Sequence, residues 1–217
     1  MAAPSVHHPL FARFYARVLA PNEGPDIRAL REELLAGLHG RVVEVGSGPG
    51  ANFPHYPDTV TEVVAVEPEA YLREQARAAA AQTAVPVTVV DGLADALPLA
   101  DGSCDAAVAC LVLCSVPDQA RALAELRRVL GPGGELRFFE HVRGHGSRMT
   151  RWQQLADRTF WPRLFGGCHT ARDTVAAIAA AGFAIERRRD VRPDSVPAFL
   201  PVAPQTIGVA VTSRGGD

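Results

Sequence analysis

The stretch VVEVGSGPGAN, residues 42–52, decides the fold because it joins a short apolar run to a glycine-rich turn. The apolar run, interrupted only by Glu44, has the composition of a parallel strand that is buried on both faces. Gly46 and Gly48 let the backbone turn tightly and approach a bound ligand closely. A strand that runs into such a turn is typical of the first unit of a nucleotide-binding α/β sheet, so we predict a ligand at this turn.

Similar apolar runs recur along the chain and alternate with helical stretches. We predict strands at residues 42–45, 63–66, 87–90, 106–109 and 136–139, and helices at residues 10–20, 26–38, 70–82, 119–130 and 170–181. This alternation predicts an α/β, Rossmann-like sheet, mostly parallel, with helices on both faces. Residues 131–134 (GPGG) are expected to turn the chain into the fifth strand. Two last strands, at residues 183–188 and 206–212, are expected to form an antiparallel hairpin and bring the sheet to seven strands.

The length of 217 residues suits a single domain. We divide it into N-terminal helices (1–39), a ligand-binding core (40–140), an insertion after the fifth strand (141–169), and a C-terminal helix and hairpin (170–217). The insertion is expected to be a helical lid with an apolar inner surface formed by Trp152, Phe160, Trp161 and Phe165. Alternatively, these aromatic side chains only pin the insertion to the sheet.

Composition excludes several classes of function. A net charge of -2 gives no reason to expect a nucleic-acid partner. All 22 basic residues are arginine, which excludes a Walker lysine, a Schiff base and a Tyr-x-x-x-Lys pair. The spacing of the four cysteines, Cys104, Cys110, Cys114 and Cys168, matches neither a zinc ribbon nor a C-x-x-C pair, so we expect no metal and a reducing, cytoplasmic setting. The first 20 residues have no apolar stretch long enough for a signal peptide or a membrane span.

The glycine loop fits two cofactors. Read as G-x-G-x-x-A ending on Ala51, it matches a dinucleotide fingerprint. Glu67, 21 residues after Gly46, can hold ribose hydroxyls with either cofactor. A structural turn without any ligand is the remaining alternative.

Three features favour S-adenosylmethionine over NAD. Glu44 lies two residues before the first glycine, where its carboxylate can face the ammonium group of this cofactor directly or through water. Pro49 stiffens a loop that has no pyrophosphate to hold. Residues 91–94 (DGLA) place a carboxylate and free amides where an adenine edge would lie.

Several motifs resemble, in order, those of class I methyltransferases of the ubiquinone and menaquinone biosynthesis type, also called type 11. They are E-x-G-x-G-x-G (44–50), EP (67–68), ADALP (94–98), CD (104–105) and VLGPGG (129–134). The resemblance implies that S-adenosyl-L-methionine is bound and S-adenosyl-L-homocysteine released. It also implies a set of cofactor-binding residues: Tyr15, Glu44, Gly46, Ser47, Gly48, Gly50, Asn52, Glu67, Pro68, Asp91, Gly92, Leu93, Cys110 and Leu111.

A narrower set of motifs is similar to the methyltransferase-like 7 proteins. These motifs are GANF (50–53), LVLCSV (111–116), EHV (140–142), WQQ (152–154) and FGGC (165–168). The resemblance implies methylation of small lipophilic thiols. The sequence lacks the long apolar N-terminal anchor of that family, so we expect no stable membrane insertion.

Methyl transfer from a sulfonium is an in-line displacement that depends mainly on alignment in a dry pocket. A thiol needs no dedicated base, because a few per cent is already thiolate at neutral pH. His141 follows the fifth strand at the ligand-binding edge of the sheet, where it can take a proton or orient the nucleophile. Alternatively, it bonds Glu140 or the backbone. His169 is a second candidate, and Cys114 and Cys168 are expected to be packing residues.

The sequence therefore predicts an enzyme that methylates a small, hydrophobic acceptor, with a thiol as the first choice. O- or N-methylation of a quinone, phenol, amine or lipid headgroup is the alternative within the same chemistry. A cofactor-binding fold that catalyses a non-methylating step such as cyclisation, and a non-catalytic partner subunit, are alternatives of other classes.

Overall fold

The structure is a computed structural model that describes residues 7–212. Seven strands form one sheet in the order β3-β2-β1-β4-β5-β7-β6. The strands are β1 Gly40–Val45, β2 Val60–Val66, β3 Val87–Val90, β4 Cys104–Cys110, β5 Leu130–His141, β6 Ala184–Val191 and β7 Gln205–Val211. The first five strands are parallel, whereas β7 pairs antiparallel with both β5 and β6. The predicted seven-stranded sheet with its C-terminal antiparallel hairpin is confirmed.

Helices cover both faces of this sheet. They are α1 Pro9–Phe14, α2 Pro25–Leu35, α3 Ala70–Ala80, α4 Gln119–Val129, α5 Ser147–Thr159, α6 Trp161–Leu164 and α7 Thr174–Ala180. Helix α1 continues as a π-helical turn, Tyr15–Leu19, and a 3-10 turn, Ala20–Asn22, and a further 3-10 turn spans Phe53–His55. The insertion after β5 is helical, as predicted, because α5 and α6 lie within it.

The sheet has a hydrophobic core on each of its two faces, and strand β4 contributes side chains to both. Its side chains alternate between the two faces of the sheet, as in any strand. Ala107 and Ala109 pack in the core that contains α4 and α7, whereas Ala106 and Val108 pack in the core that contains α2 and α3. Burial on both faces explains why these strands are continuously apolar.

Three boundaries differ from the sequence-based expectation. Helix α2 ends at Leu35, and Gly37 follows with φ +76°. Helix α7 begins at Thr174, because the Asp173 carboxylate caps it by accepting a hydrogen bond from the backbone N–H of Ala176. Residues 131–134 do not separate α4 from β5 but form a bulge within β5, since Leu130 pairs with Cys104 and Glu135 with Ala106.

The topology gathers four strand ends at one edge. The strand order reverses beside β1, whose neighbours are β2 and β4, and such a switch point is where open α/β sheets bind ligands. The glycine loop follows β1, Glu67 follows β2, Leu111 follows β4, and His141 ends β5. No helix in residues 7–212 is both long enough and apolar enough to cross a membrane.

Candidate active site

A cavity of about 920 Å³ lies at this edge of the sheet. The strand ends contribute one wall, which includes Gly46, Gly48, Glu67, Leu111 and His141. The opposite wall comes from the N-terminal helical segment, from the region around α6, and from the connection between β6 and β7; it includes Phe11, Tyr15, Trp161, Phe165, Val196 and Leu200. The cavity therefore runs from the glycine loop to the insertion.

Gly46 and Gly48 both adopt the left-handed conformation, with φ of +61° and +56°. A Cβ atom on Gly46 would lie 2.3 Å from a methyl carbon of Val112, so no side chain fits there. A Cβ atom on Gly48 would lie 3.3 Å from the Tyr15 ring. Both glycines are required by the backbone of the turn. Tyr15, an expected cofactor-binding residue, lies against the turn and lines the cavity.

Glu67 connects the end of β2 to the glycine loop. Its carboxylate accepts hydrogen bonds from the backbone N–H groups of Gly48 and Glu69, both at 2.9 Å. The side chain is buried yet lines the cavity, and burial raises the pKa of its carboxyl group. Its free lone pairs can accept hydrogen bonds from the hydroxyls of a ribose. Pro68, the next residue, also lines the cavity.

Glu44 lies behind the glycine loop and is not among the residues that line the cavity. Its two carboxylate oxygens accept hydrogen bonds from Asn52 Nδ2 at 2.8 Å and from the Tyr56 hydroxyl at 2.7 Å. Burial raises the pKa of Glu44 to about 7. Ser47, Gly50 and Asn52 also lie outside the cavity wall. In this arrangement Glu44 supports the loop and does not face the ligand directly.

Arg31 of α2 completes this support and was not anticipated. It is buried and donates to Asn52 Oδ1 at 2.8 Å and to Cys110 Sγ at 3.1 Å, while its remaining donors pair with Glu23. The neighbouring Cys110 and Glu23 raise the pKa of Arg31 although burial alone would lower it. The sequence does contain an indication of this role. Arg31 lies on the apolar stripe of α2, where an arginine needs buried partners.

In the loop after β3, the residues that line the cavity lie further along the chain than expected. The Asp91 carboxylate is largely exposed and pairs with Arg73 at 2.9 Å, and neither Asp91 nor Gly92 lines the cavity. Leu93 does line it, together with Ala94 and Asp95. Of the three residues that were expected to frame an adenine, Asp91, Gly92 and Leu93, only Leu93 therefore lies in the cavity wall.

The loop after β4 is held in an unusual conformation. Leu111 has φ +57°, a left-handed value that is uncommon for a residue other than glycine. The Glu140 carboxylate accepts hydrogen bonds from the next three backbone N–H groups, those of Val112, Leu113 and Cys114, at 2.8–3.1 Å. Cys110 and Leu111, two of the expected cofactor-binding residues, line the cavity, and Glu140 fixes the loop that follows them.

His141 lies beside two cysteines. Its Nδ1 atom is 3.4 Å from Cys114 Sγ and 3.6 Å from Cys168 Sγ, and the two sulfur atoms are 3.7 Å apart. Burial would lower the pKa of His141, but the Cys114 sulfur reverses this and the net shift is upward. The alternative of a bond to the Glu140 carboxylate is not found, because that carboxylate binds the loop amides. His141 and Cys168 line the cavity.

His169, the second candidate, also lines the cavity. Its pKa is lowered, first by burial and then by the nearby Arg172. Its backbone N–H donates to the Cys114 carbonyl oxygen at 2.8 Å, so the segment that carries Cys168 and His169 is tied to the β4 loop.

The four aromatic residues of the insertion divide into two pairs. Trp161 and Phe165 line the cavity and stack with ring centroids 4.0 Å apart. Trp152 and Phe160 do not line it and are each 37% exposed. The Trp152 Nε1–H donates to the Phe199 carbonyl oxygen at 3.1 Å on the outside of α5. The structure thus brings only Trp161 and Phe165 to the predicted acceptor pocket.

Comparison with known proteins identifies the family of the chain. A family model described as a methyltransferase domain matches residues 43–138, from β1 to β5. The solved structure of an S-adenosylmethionine-dependent methyltransferase from Thermotoga maritima superposes with a TM-score of 0.68 at 24% identity, over 94% of this chain and 99% of that chain. The cyclase SpnF superposes with the same TM-score, 0.68, at 22% identity over 87% of this chain and 80% of that chain. At these identities the two structures show a shared fold alone.

The comparison of sequences is more specific than the comparison of structures. Thiol S-methyltransferase TMT1B of Homo sapiens is 36% identical in an alignment 207 residues long, and the alignment covers 89% of this chain and 83% of that protein. The match extends beyond the cofactor-binding strands into the insertion and the C-terminal hairpin, because it covers most of both chains. The chain therefore belongs to the family of S-adenosylmethionine-dependent methyltransferases that includes thiol S-methyltransferase TMT1B.

Proposed function

We propose that this enzyme transfers a methyl group from S-adenosylmethionine to the sulfur of a small, hydrophobic thiol. One observation carries the proposal: a single cavity connects the glycine loop and Glu67 with the apolar wall of Trp161 and Phe165 and with the sulfur-rich surroundings of His141. The similarity to a thiol S-methyltransferase over most of the chain supports the same acceptor.

The glycine-loop end fits the cofactor. Gly46 and Gly48 line the cavity with a tight left-handed turn, which allows a ligand to approach the backbone there. Glu67 presents a buried carboxylate in the cavity wall, where it is proposed to accept hydrogen bonds from the ribose hydroxyls. S-adenosylmethionine supplies an electrophilic methyl group on a positively charged sulfur. Residues 93–95 are proposed to frame the adenine.

The other end of the cavity fits an apolar acceptor. Trp161 and Phe165 exclude water and offer flat surfaces to a hydrophobic group. His141 is proposed to orient the acceptor sulfur, and His169 lies on the same wall as a second polar contact. The acceptor reacts as a thiolate, after the thiol proton has passed to solvent. Its sulfur forms a bond to the methyl carbon while the bond from that carbon to the sulfonium breaks and leaves its electron pair on S-adenosylhomocysteine. The chain mainly supplies alignment, which can lower the barrier by about 7–11 kcal/mol.

O- or N-methylation is the second candidate, but the cavity favours it less. An alcohol needs a general base more than a thiol does. The nearest carboxylate to His141 along the chain, Glu140, is fully buried and bound to three loop amides, so it is not free to act as that base. The shared fold with a cyclase does not favour a non-methylating step, since at that identity the fold alone is shared.

A screen with methyl-labelled S-adenosylmethionine tests the proposal. Benzyl mercaptan, benzyl alcohol and benzylamine present the three nucleophiles on one hydrophobic scaffold. We expect labelled thioether from the thiol and little product from the alcohol or the amine. Gly46→Ala is the control, because its Cβ atom would collide with Val112 and distort the glycine turn that lines the cavity. Transfer to the alcohol or the amine with an inert thiol would contradict the proposal.

A further inference from the structure

Three metal-binding side chains meet at the acceptor end of the cavity. They come from three separate elements: Cys114 from the loop after β4, His141 from the end of β5, and Cys168 from the segment after α6. Their ligand atoms all lie within 4.8 Å of one another. Their separation along the chain hides this arrangement, and spacing alone predicted no metal.

The distances between these atoms match a tetrahedral zinc site. Zinc bonds to sulfur at about 2.3 Å and to imidazole nitrogen at about 2.0–2.1 Å, so tetrahedral angles place two sulfur ligands about 3.8 Å apart and a sulfur and a nitrogen about 3.6 Å apart. The structure has 3.7 Å between the two sulfurs and 3.4 Å and 3.6 Å from the sulfurs to His141 Nδ1. The sulfurs are far outside the bond length of a disulfide, which is about 2.05 Å.

The backbone holds these ligands in place. The Cys114 N–H donates to the Glu140 carboxylate at 3.1 Å, and the Cys114 carbonyl accepts from the His169 N–H at 2.8 Å. The Cys168 N–H donates to the Phe165 carbonyl at 3.0 Å. The Ser115 hydroxyl lies 3.5 Å from Cys114 Sγ, where it can donate to a thiolate. Ligands that are fixed by surrounding hydrogen bonds are typical of metal sites.

The charges also balance. Two cysteine thiolates and one histidine leave a divalent cation neutral, which a buried site tolerates. His141 and Cys168 line the cavity, so a cation held by the three side chains would have its open side toward bound ligands. Two cysteines, one histidine and an open fourth position is a known arrangement of catalytic zinc.

We propose that Cys114, His141 and Cys168 bind a zinc ion whose fourth coordination position faces the cavity and takes the sulfur of the acceptor. The acceptor thiol gives its proton to solvent on coordination, and the zinc-bound sulfur keeps a lone pair that attacks the methyl carbon. Coordination of the acceptor sulfur rests on the proposed thiol acceptor, whereas binding of zinc by the three side chains does not.

Cobalt(II) tests the metal site directly. The whole protein is reduced with a phosphine, freed of metal and titrated with cobalt. We expect about one equivalent to bind, with a thiolate-to-cobalt charge-transfer band and the intense visible bands of tetrahedral cobalt. Zinc should then displace the cobalt and remove both signals. Benzyl mercaptan, without zinc, should shift the visible bands as it enters the fourth position.

Variants identify the ligands. Cys168→Ser and Cys114→Ala should each remove or strongly weaken the charge-transfer band, whereas the control Cys104→Ser should keep it, since Cys104 is a buried cysteine at the start of β4 outside the cavity. Calorimetry with S-adenosylhomocysteine verifies that each variant is folded.

Three results would overturn the proposal: no charge-transfer band in the reduced protein, a band that persists in both cluster variants, or a bound metal whose spectrum does not respond to benzyl mercaptan. A failure to methylate thiols is a separate result, because cobalt binding is read without any turnover.

Discussion

The carboxylate of Glu67 accepts a hydrogen bond from the backbone N–H of Gly48 at 2.9 Å, so the end of β2 holds the turn that follows β1. This contact places a buried acid beside the glycine loop that lines the cavity. The geometry of the loop and the proposed ribose contact therefore depend on the same side chain.

Glu67→Ala should weaken the binding of S-adenosylhomocysteine by about 1.5–3 kcal/mol, the scale of a hydrogen bond to a charged group, or roughly ten- to a hundredfold in Kd. Calorimetry measures this. Glu62→Ala is the matched control, because Glu62 lies on the same strand and pairs with Arg41 at the surface. If folded Glu67→Ala has an unchanged Kd for S-adenosylhomocysteine, Glu67 does not bind the cofactor.

S-adenosylhomocysteine should bind in calorimetry, and NAD should not. In dinucleotide-binding folds the glycine loop opens a helix whose N-terminus holds the pyrophosphate. Here the loop leads only to the short 3-10 turn Phe53–His55. Tight NAD binding without S-adenosylhomocysteine binding would contradict the assignment of the site.

Glu44 should make stability depend on pH. Burial raises its pKa to about 7 in the folded chain, whereas an unfolded glutamate titrates near its ordinary value of about 4.3. The folded state therefore binds the proton more tightly, and the wild type loses stability as pH rises from about 4.3 through 7, by roughly 4 kcal/mol at about 1.4 kcal/mol per pKa unit.

Chemical denaturation of wild type and Glu44→Gln at pH 5 and pH 8 measures this difference. The free energy of unfolding of the wild type should fall relative to that of Glu44→Gln at the higher pH, since the variant has no carboxyl group to ionise. The same pH dependence in both proteins would show that Glu44 ionises freely in the folded state.

Trp161→Ala should raise the KM for a hydrophobic thiol about tenfold, equivalent to ~1.4 kcal/mol, and leave the Kd for S-adenosylhomocysteine nearly unchanged. The reason is that Trp161 lines the cavity in the insertion, far along the chain from the glycine loop. Trp152→Ala is the control within the same insertion, because its indole faces outward. If Trp161→Ala loses cofactor binding and the KM for the thiol is unchanged, the insertion serves structural packing and is not a lid over the acceptor.

Fluorescence gives a second measure of the insertion. Trp152 and Trp161 are the two tryptophans of the chain, so a Trp152→Phe protein reports on Trp161 alone. We expect its emission to change when S-adenosylhomocysteine is added and to change further when a thiol follows, as for a lid that closes over the pocket. Emission that is unchanged by both ligands would argue against a lid.

The sheet was predictable because its signals are local. Continuous apolar runs marked the buried strands, and the glycines after residue 45 marked the ligand-binding turn. The change from parallel strands to a C-terminal hairpin followed from the order of the elements, and Glu67 followed from its distance to Gly46.

The orientation of the insertion was not predictable from its aromatic content. The buried side of α5 is carried by Gln153, which is fully buried and whose amide donates to the carbonyls of Val142, Thr170 and Pro201. Its neighbour Trp152 must then point to the outside of the helix. A polar residue in the core and the bonds it makes between distant segments leave no periodic signal in the sequence.

The cluster of Cys114, His141 and Cys168 was missed for a related reason. Each residue is 27 positions from the next along the chain, and only the pairing of β4 with β5 and the return of the insertion bring them together. Cysteine spacing detects metal sites that lie within one loop or one hairpin, not sites assembled from three elements.

An acceptor that carries both a thiol and a hydroxyl group tests the central claim most directly. 4-Mercaptophenol presents both nucleophiles on one ring, so the thiol and the hydroxyl compete within one molecule and at the same concentration. The enzyme is incubated with methyl-labelled S-adenosylmethionine and the position of the label is read by mass spectrometry, with Gly46→Ala to subtract uncatalysed transfer. The account predicts the S-methyl product from the wild type and none above background from the variant; label on the phenolic oxygen would contradict it.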